Sequence, residues 1–262
     1  MKNISVAIPT FNSSIYLEAL LKKVINIESV NEIVVSDDAS HISDFEKARV
    51  ICENFEKKIK IKLLRNEKNI GAFKNKLKVI NACSNSFVYQ IDSDNIPGKN
   101  IEKAIQKILS NSVDEKTIYY PHKMNQFRKY RLFSHIDNRK NVIYSRKSLI
   151  LNLRDIKLFL NGKKNPFIDK HIMWVLNSGN FIVDKNLYNE AMEPALGIEQ
   201  PLSSDAVAIS YYWLKYGGKI KLTKDLWHYH RKRWDSVSFT EGENSHISAE
   251  YFKQKILYLN LK

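Results

Sequence analysis

The chain has 262 residues, 44% hydrophobic and 27% charged. This is the composition of a globular domain able to bury its own core, and it excludes a collagen-like or mostly disordered protein. Lysine and arginine number 42 against 28 aspartate and glutamate, a formal net charge of +14 that favours a polyanionic partner: nucleic acid, an anionic membrane surface or phosphorylated substrates. The only cysteines, Cys52 and Cys83, are too few for a disulfide framework or a cysteine-based zinc site, and a reducing cytosol is the simplest setting. The first apolar stretch is cut by Pro9 and Asn12, and no other approaches about 18 uninterrupted apolar residues, so neither a signal peptide nor a membrane-spanning helix is expected.

Over the first 120 residues strands and helices alternate, the pattern of a largely parallel sheet flanked by helices. The strands are expected at Ile4 to Ile8, Glu32 to Val35, Ile59 to Leu64, Phe87 to Ile91 and Thr117 to Tyr120, runs rich in β-branched and aromatic residues. Ile15, Leu17, Leu20, Leu21 and Val24 recur at helical spacing behind Ser13 and Ser14, and Ile101, Ala104, Ile105 and Ile108 repeat the pattern after Pro97. From Pro121 to about Arg146 the chain is dense in Arg, Lys, Tyr and His and reads as irregular. A helix is expected over Ser148 to Leu160, an extended segment over Ile172 to Val183, a helix from Ser203 to Tyr216 stopped by Gly217 and Gly218, and a final helix over Ile247 to Leu259. No repeat or linker divides the chain, so both halves are expected to share one core.

In an open α/β sheet, ligands bind outside the carboxyl ends of the strands. Those positions here hold Pro9-Thr10-Phe11-Asn12, Asp37-Asp38-Ala39-Ser40, Arg65-Asn66 with Asn69 and Gly71, and Asp92-Ser93-Asp94-Asn95. Each loop alone is explained by turn and capping chemistry, because Asp and Asn are common turn residues. Their recurrence at successive strand ends is the stronger observation. Asp92-Ser93-Asp94 puts two carboxylates on one side of an extended segment, which suits a hard divalent cation that takes its remaining ligands from water and phosphate; a turn with a capping Asp before Pro97 is the plainer alternative.

No G-x-x-x-x-G-K-[ST] loop is present, and no G-x-G-x-x-G follows the first strand, so neither a P-loop NTPase nor a dinucleotide-binding dehydrogenase is supported. The G-x-S-x-G, H-E-x-x-H and deaminase signatures are likewise missing from the sequence.

The run Val6 to Asn12, the pair Asp37-Asp38, the segment Asn69-x-Gly71 leading to Asn75, and Asp92-Ser93-Asp94 together resemble family 2 glycosyltransferases of the GT-A fold. The likeness continues through Gly179-Asn180-Phe181, Ser204-Asp205 with Gly217-Gly218-Lys219-Ile220, and His228-Tyr229-His230-Arg231 leading to Ser236-Val237-Ser238, and so spans roughly residues 3 to 240. It implies a Rossmann-like nucleotide-binding sheet, with residues 1–120 as the nucleotide-sugar half and residues 121–262 as the acceptor and catalytic-base half of the same domain. It also implies that Asp38 accepts the base N–H, Asp92 binds ribose, Asp94 ligates Mn2+ or Mg2+ bridging the diphosphate, and Asp205 is the general base of an inverting displacement. Pro9, Thr10, Phe11, Asn12, Asp37, Asn69, Gly71, Asn75, Ser93, Gly179 and Asn180 would complete the substrate site. The sequence departs from the family pattern at Ser204, where Glu is usual, and at Ala39, where Gly is usual.

His228 or His230 would complete the metal shell, since neutral imidazole is a good transition-metal ligand; two structural histidines in an aromatic stretch are the alternative. Arg231 would grip the diphosphate or belong to a solvated basic loop with Lys232 and Arg233. The region His122 to Arg146, with Arg128-Lys129-Tyr130-Arg131, fits single-stranded nucleic acid or a phosphorylated or lipid-linked acceptor near an anionic membrane. The acidic strand-end cluster favours the second. The resulting expectation is a metal-dependent, hexosyltransferase-type enzyme with a nucleoside-diphosphate sugar donor, UDP-sugar favoured, and a glycan or lipid-linked acceptor. It would act in cell-surface polysaccharide assembly of the lipopolysaccharide or capsule kind, in the cytoplasm or peripherally at the inner face of the cytoplasmic membrane, and not on nucleic acid. A sugar-phosphate nucleotidyltransferase and a non-catalytic basic nucleic-acid-binding protein are the alternatives.

Overall fold

The computed structural model describes residues 3–111, 116–128, 140–143, 149–165, 168–197, 204–232 and 242–260. The strands are β1 (Ile4–Thr10), β2 (Val30–Asp37), β3 (Lys60–Arg65), β4 (Phe87–Gln90), β5 (Ile96–Pro97), β6 (Thr117–Arg128), β7 (Lys140–Ile143), β8 (Leu149–Leu151), β9 (Phe181–Asp184) and β10 (Lys219–Lys232). The helices are α1 (Ser14–Val24), α2 (Ile42–Glu56), α3 (Ala72–Asn81), α4 (Ile101–Asn111), α5 (Leu153–Leu160), α6 (Asp169–Val175), α7 (Lys185–Met192), α8 (Asp205–Lys215) and α9 (Gly242–Leu257).

One sheet runs β3-β2-β1-β4-β9-β6-β10-β5, with β7 on β6 and β8 on β10. β1, β2, β3 and β4 are mutually parallel, β9 is antiparallel to both β4 and β6, and β10 is parallel to β6. Strands from residues 1–120 and 121–262 therefore share a single sheet. Period-two alternation builds the two faces. Ile4, Val6 and Ile8 pack with Leu17, Leu20 and Leu21 of α1, Cys52 of α2 and Ile105 of α4. Ala7, Val34 and Val88 pack on the other face with α3, α7, α8 and α9. Both cysteines are buried and free, and burial raises their thiols to about 12, so neither is nucleophilic at neutral pH.

Three expectations need correction. The segment after Pro121 is not irregular: β6 continues to Arg128, with Pro121 opposite Thr223 of β10. The helix expected from Ser148 starts at Leu153, because Leu149–Leu151 pairs with Ile220 to Leu222 and Asn152 then caps α5 in a reciprocal box with Asp155 (3.0 and 3.2 Å). The segment from Ile172 is not extended but belongs to α6, and only Phe181–Asp184 is strand. Residues 129–139 and 144–148, the Ser236 to Ser238 motif and Arg233 lie outside the described residues. The C-terminal helix packs on the domain through Phe252 and Ile256 against Tyr211 and Tyr212. None of the described helices is long and apolar enough to cross a membrane.

At the edge of the sheet opposite the acidic loops, Glu32 of β2 is buried. It accepts bonds from Ser5 Oγ (2.6 Å), Ser84 N (2.6 Å) and Ser84 Oγ (2.7 Å) and pairs with Lys60. Burial opposes its ionisation, but Lys60, Ser5 and Ser84 outweigh it and hold the carboxyl down at about 2 against an ordinary 4.5. Stability from this group is present above pH 4.5 and is lost as pH falls towards 2. His228 is buried and neutral, pushed by desolvation from 6.5 to about 3. Its unfolded form takes up a proton first, so it too destabilises the fold as pH falls from 6.5 towards 3. The urea-unfolding midpoint is expected to decline steadily over that range, and Glu32→Gln should flatten the part below pH 4.5. A midpoint independent of pH would contradict both assignments.

Candidate functional site

The parallel run of β1, β2 and β4 brings the loops at 11–13, 38–41 and 91–95 to one edge. Antiparallel β9 starts at that edge, since Gln90 pairs with Phe181, and so delivers Gly179 and Asn180 beside Asp92. The N-termini of α3 and α8 complete the rim.

The first two loops lock together. Asn12 N–H donates to Ser40 Oγ (2.8 Å) and Asn12 Oδ1 accepts from His41 N–H (3.0 Å). Asn12 and Ala39 both occupy the left-handed region, at φ 46° and 58°. That conformation costs an L-residue with a Cβ about 1–2 kcal/mol, which accounts for glycine being usual where Ala39 stands. Hydroxyls carry the connection onward. Thr10 Oγ1 bonds Ser13 Oγ (2.8 Å), which bonds Ser93 Oγ (2.7 Å), joining the first loop to the Asp92–Asp94 segment. Pro9 is buried in β1 opposite Ser36, and Phe11 is exposed at the rim.

Asp38 is buried and accepts three N–H bonds, from Asn66 Nδ2 (2.7 Å), Ile70 N (2.9 Å) and Gly71 N (3.0 Å). A carboxylate has about four acceptor positions, so one remains for a ligand donor. Asn69 Oδ1 accepts from Gly71 N–H (3.0 Å), and Gly71, at φ 86°, opens α3. Asn75 works inward: its Oδ1 accepts from Ser36 Oγ (2.7 Å) and its Nδ2 donates to Ser36 O (2.9 Å), tying α3 to β2. Asp37 is fully buried, accepts from Ser40 N–H (3.1 Å), and burial raises its pKa. Asp37 and Asn75 therefore shape the loops from below, and Asp38 ties the second loop to Asn66, Ile70 and Gly71.

Lys76 of α3, with a side chain 6% exposed, bridges Asp92 Oδ1 (3.0 Å) and Asp205 Oδ2. Burial disfavours its charge, but the Asp205 and Asp92 carboxylates reverse this and raise its pKa, so it stays an ammonium. Burial likewise opposes ionisation of Asp92, and Lys76 overcomes it, holding that carboxyl below the usual range. Asp92 Oδ1 also accepts from Gln90 Nε2 (3.2 Å). Asp205 is the first residue of α8 rather than its cap, which is Ser204, so its carboxylate serves Lys76 and the crevice instead of the helix end.

Asn180 Oδ1 accepts from Asp92 N–H (2.8 Å), which fixes the amide so that its Nδ2 donates to His228 Nε2 (3.1 Å). The His228 proton is then on Nδ1, and neither nitrogen offers a lone pair to a metal; the ring instead stacks on Trp174. In this arrangement His228 ties β10 to the residue that precedes β9. His230, half-buried, sits edge-on to His228 (6.0 Å between centroids). Arg231 lies over Tyr16 (4.4 Å), and its Nε donates to Asp94 O (3.4 Å), placing the guanidinium beside the Asp92–Asp94 segment. Among the described residues no three His, Cys, Asp or Glu side chains form a metal cluster. An oxygen donor set that includes Asp94, half-buried beside Arg231, fits a hard cation such as Mn2+ or Mg2+ that takes its remaining ligands from water and substrate phosphates.

Lys76 escaped the sequence reading, though a signal was there. Phe73, Lys76, Leu77 and Ile80 fall at i, i+3, i+4 and i+7, so the apolar stripe of α3 carries one lysine inward, while Lys74 and Lys78 flank it.

A model of glycosyl transferase family 2 matches residues 5–189. Among solved structures, the chain resembles Staphylococcus aureus TarS 1-349 in complex with UDP-GlcNAc, with a TM-score of 0.66, 18% identity, and coverage of 100% of this chain and 68% of that one. The same protein in complex with UDP gives 0.64, 18%, 100% and 67%. Against a TarS structure without that truncation the TM-score is 0.62 and the chain spans 41% of the length. No curated protein sequence matches. The fold is that of the GT-A enzymes, and with most of its length matched the chain belongs to glycosyl transferase family 2.

Proposed function

We propose that this glycosyltransferase moves a sugar from a UDP-sugar to a hydroxyl of a glycan or lipid-linked acceptor, with inversion, in the assembly of a surface polysaccharide of the capsule or lipopolysaccharide kind. Family membership favours this over a nucleotidyltransferase or a nucleic-acid-binding protein. The observation that carries the reading is the line Asp92–Lys76–Asp205, which ties a carboxylate at the end of β4 to another at the start of α8 across one crevice. Asp38, with its remaining acceptor position, takes the base N–H. Asp92 takes the ribose hydroxyls, and Asn12, Ser13 and Ser93 line the floor between them.

In the transfer, Asp205 removes the acceptor hydroxyl proton as its oxygen bonds the anomeric carbon. The bond from that carbon to the diphosphate breaks, and the electron pair leaves with UDP. Arg231 sits beside the Asp94 segment, where its guanidinium can meet diphosphate oxygens. Asp94, together with His230, would hold a divalent cation, which would supply Lewis-acid stabilisation of the leaving diphosphate. The net charge of +14 suits a phosphate-bearing acceptor at the inner face of an anionic membrane.

The experiment is UDP release from a panel of UDP-sugars including UDP-GlcNAc, with Mn2+, Mg2+ or EDTA. Release with one sugar that requires the cation and is lost in Asp94→Ala supports the reading. Release unaffected by EDTA contradicts the metal role, and no release with any UDP-sugar contradicts the donor class.

A further inference from the structure

We infer that Lys76 is the positioning residue of the transfer, acting on the chemical step through Asp205. The inference rests on the reading of Asp205 as the base. Two independent observations converge on it. The first is the clamp itself: an ammonium with a side chain 6% exposed, bonded to Asp205 Oδ2 and to Asp92 Oδ1. A buried lysine is costly unless paired, and this one is paired twice, by carboxylates that remain 20% and 31% exposed towards the crevice. Lys76 thus fixes the bearing of Asp205 relative to the residue that holds ribose. Without it the two carboxylates would repel each other and Asp205 would be free to rotate.

The second observation is Gly179. A Cβ there would stand 2.3 Å from Lys76 Nζ and 3.1 Å from Asp92 Oδ2. The glycine is needed for the space that the ammonium occupies, not for a left-handed backbone. Gly179→Ala therefore displaces the ammonium while leaving every charge of the site in the chain. Tyr120 and Tyr188, from β6 and α7, are buried within electrostatic reach of Asp205 and stay neutral phenols, so Lys76 is the cation that orients the base from the packed side.

The test compares wild type, Lys76→Met, Gly179→Ala, the double variant and Asp205→Asn. It reads kcat and KM for UDP release from the preferred UDP-sugar, Kd for UDP by calorimetry, and Tm. Lys76→Met is expected to lower kcat about 10²-fold, the scale of a misplaced catalytic group, with a smaller change in KM and UDP Kd because Asp92 also loses its partner. Gly179→Ala is expected to lower kcat in the same way, and the double variant to fall no further, because both act through the position of one ammonium. An unchanged kcat in Lys76→Met, losses that multiply in the double variant, or a loss of UDP affinity equal to the loss in kcat would each overturn the inference. Should Lys76→Met fail to fold, Gly179→Ala decides on the same readings. UDP release that needs Asp205 but not Lys76 refutes the inference alone; no release by wild type refutes the transferase reading and the inference with it.

Discussion

Asp205→Asn is expected to lower kcat for transfer by about 10²–10⁴-fold, the usual contribution of a positioned general base, while leaving Kd for UDP nearly unchanged. The amide preserves shape and can still meet Lys76 through its carbonyl, but it cannot accept the acceptor proton. Asp205 stands at the first turn of a helix whose residues from Ala206 to Leu214 are all buried, so the backbone beneath it is rigid. Its side chain is 20% exposed, open to the crevice rather than sealed. A steady-state comparison with parallel calorimetry separates the two quantities. A fall in UDP affinity matching the fall in kcat would instead place Asp205 at the donor.

Trp213→Ala is expected to be the most destabilising single substitution among the residues that hold the site in place, costing about 3–5 kcal/mol. The indole is fully buried, packs against Tyr216, and donates from Nε1 to Lys219 O (2.9 Å), the first residue of β10. It thereby joins the end of α8 to the strand that carries His228, His230 and Arg231. Gly218 is part of the same joint, because a Cβ there would lie 2.3 Å from the indole nitrogen. Thermal unfolding should show Tm lower by on the order of 10 °C. A fall of only a degree or two would mean that the joint does not hold α8 in register with the sheet.

The first half of the fold was legible because its signals are local. Each of β1 to β4 is a short apolar run with a polar loop at its end, and parallel pairing brings the loops that carry Asn12, Asp38, Asp92 and Asp94 to one edge. In the second half the deciding interactions are long-range. β6 runs through Pro121 because β10 lies alongside it, and β8 is a three-residue strand held by β10 from about 70 residues further along the chain. The Ile172 region is rich in residues suited to either state, and at the start of the helix Asp169 Oδ2 accepts from Asn165 N–H (2.8 Å). Within the site, residue types pointed to Asp205 and to the histidines, but not to which partner each would take. The Asn180 amide that donates to His228 Nε2, and the lysine that crosses from α3 to Asp205, are pairings 48 and 129 residues apart. Only the packed structure reveals such pairs.

The central claim, a nucleoside-diphosphate crevice at the ends of β1, β2 and β4, is tested most directly by thermal unfolding against UDP and other nucleoside diphosphates, on wild type and Asp38→Ala. UDP at about 100 times its Kd should stabilise the wild type by about 2.7 kcal/mol, a shift of several degrees, and the shift should vanish in Asp38→Ala. No shift with any nucleoside diphosphate, together with a shift on adding a single-stranded oligonucleotide, would contradict the account and return the basic surface to first place as the functional feature.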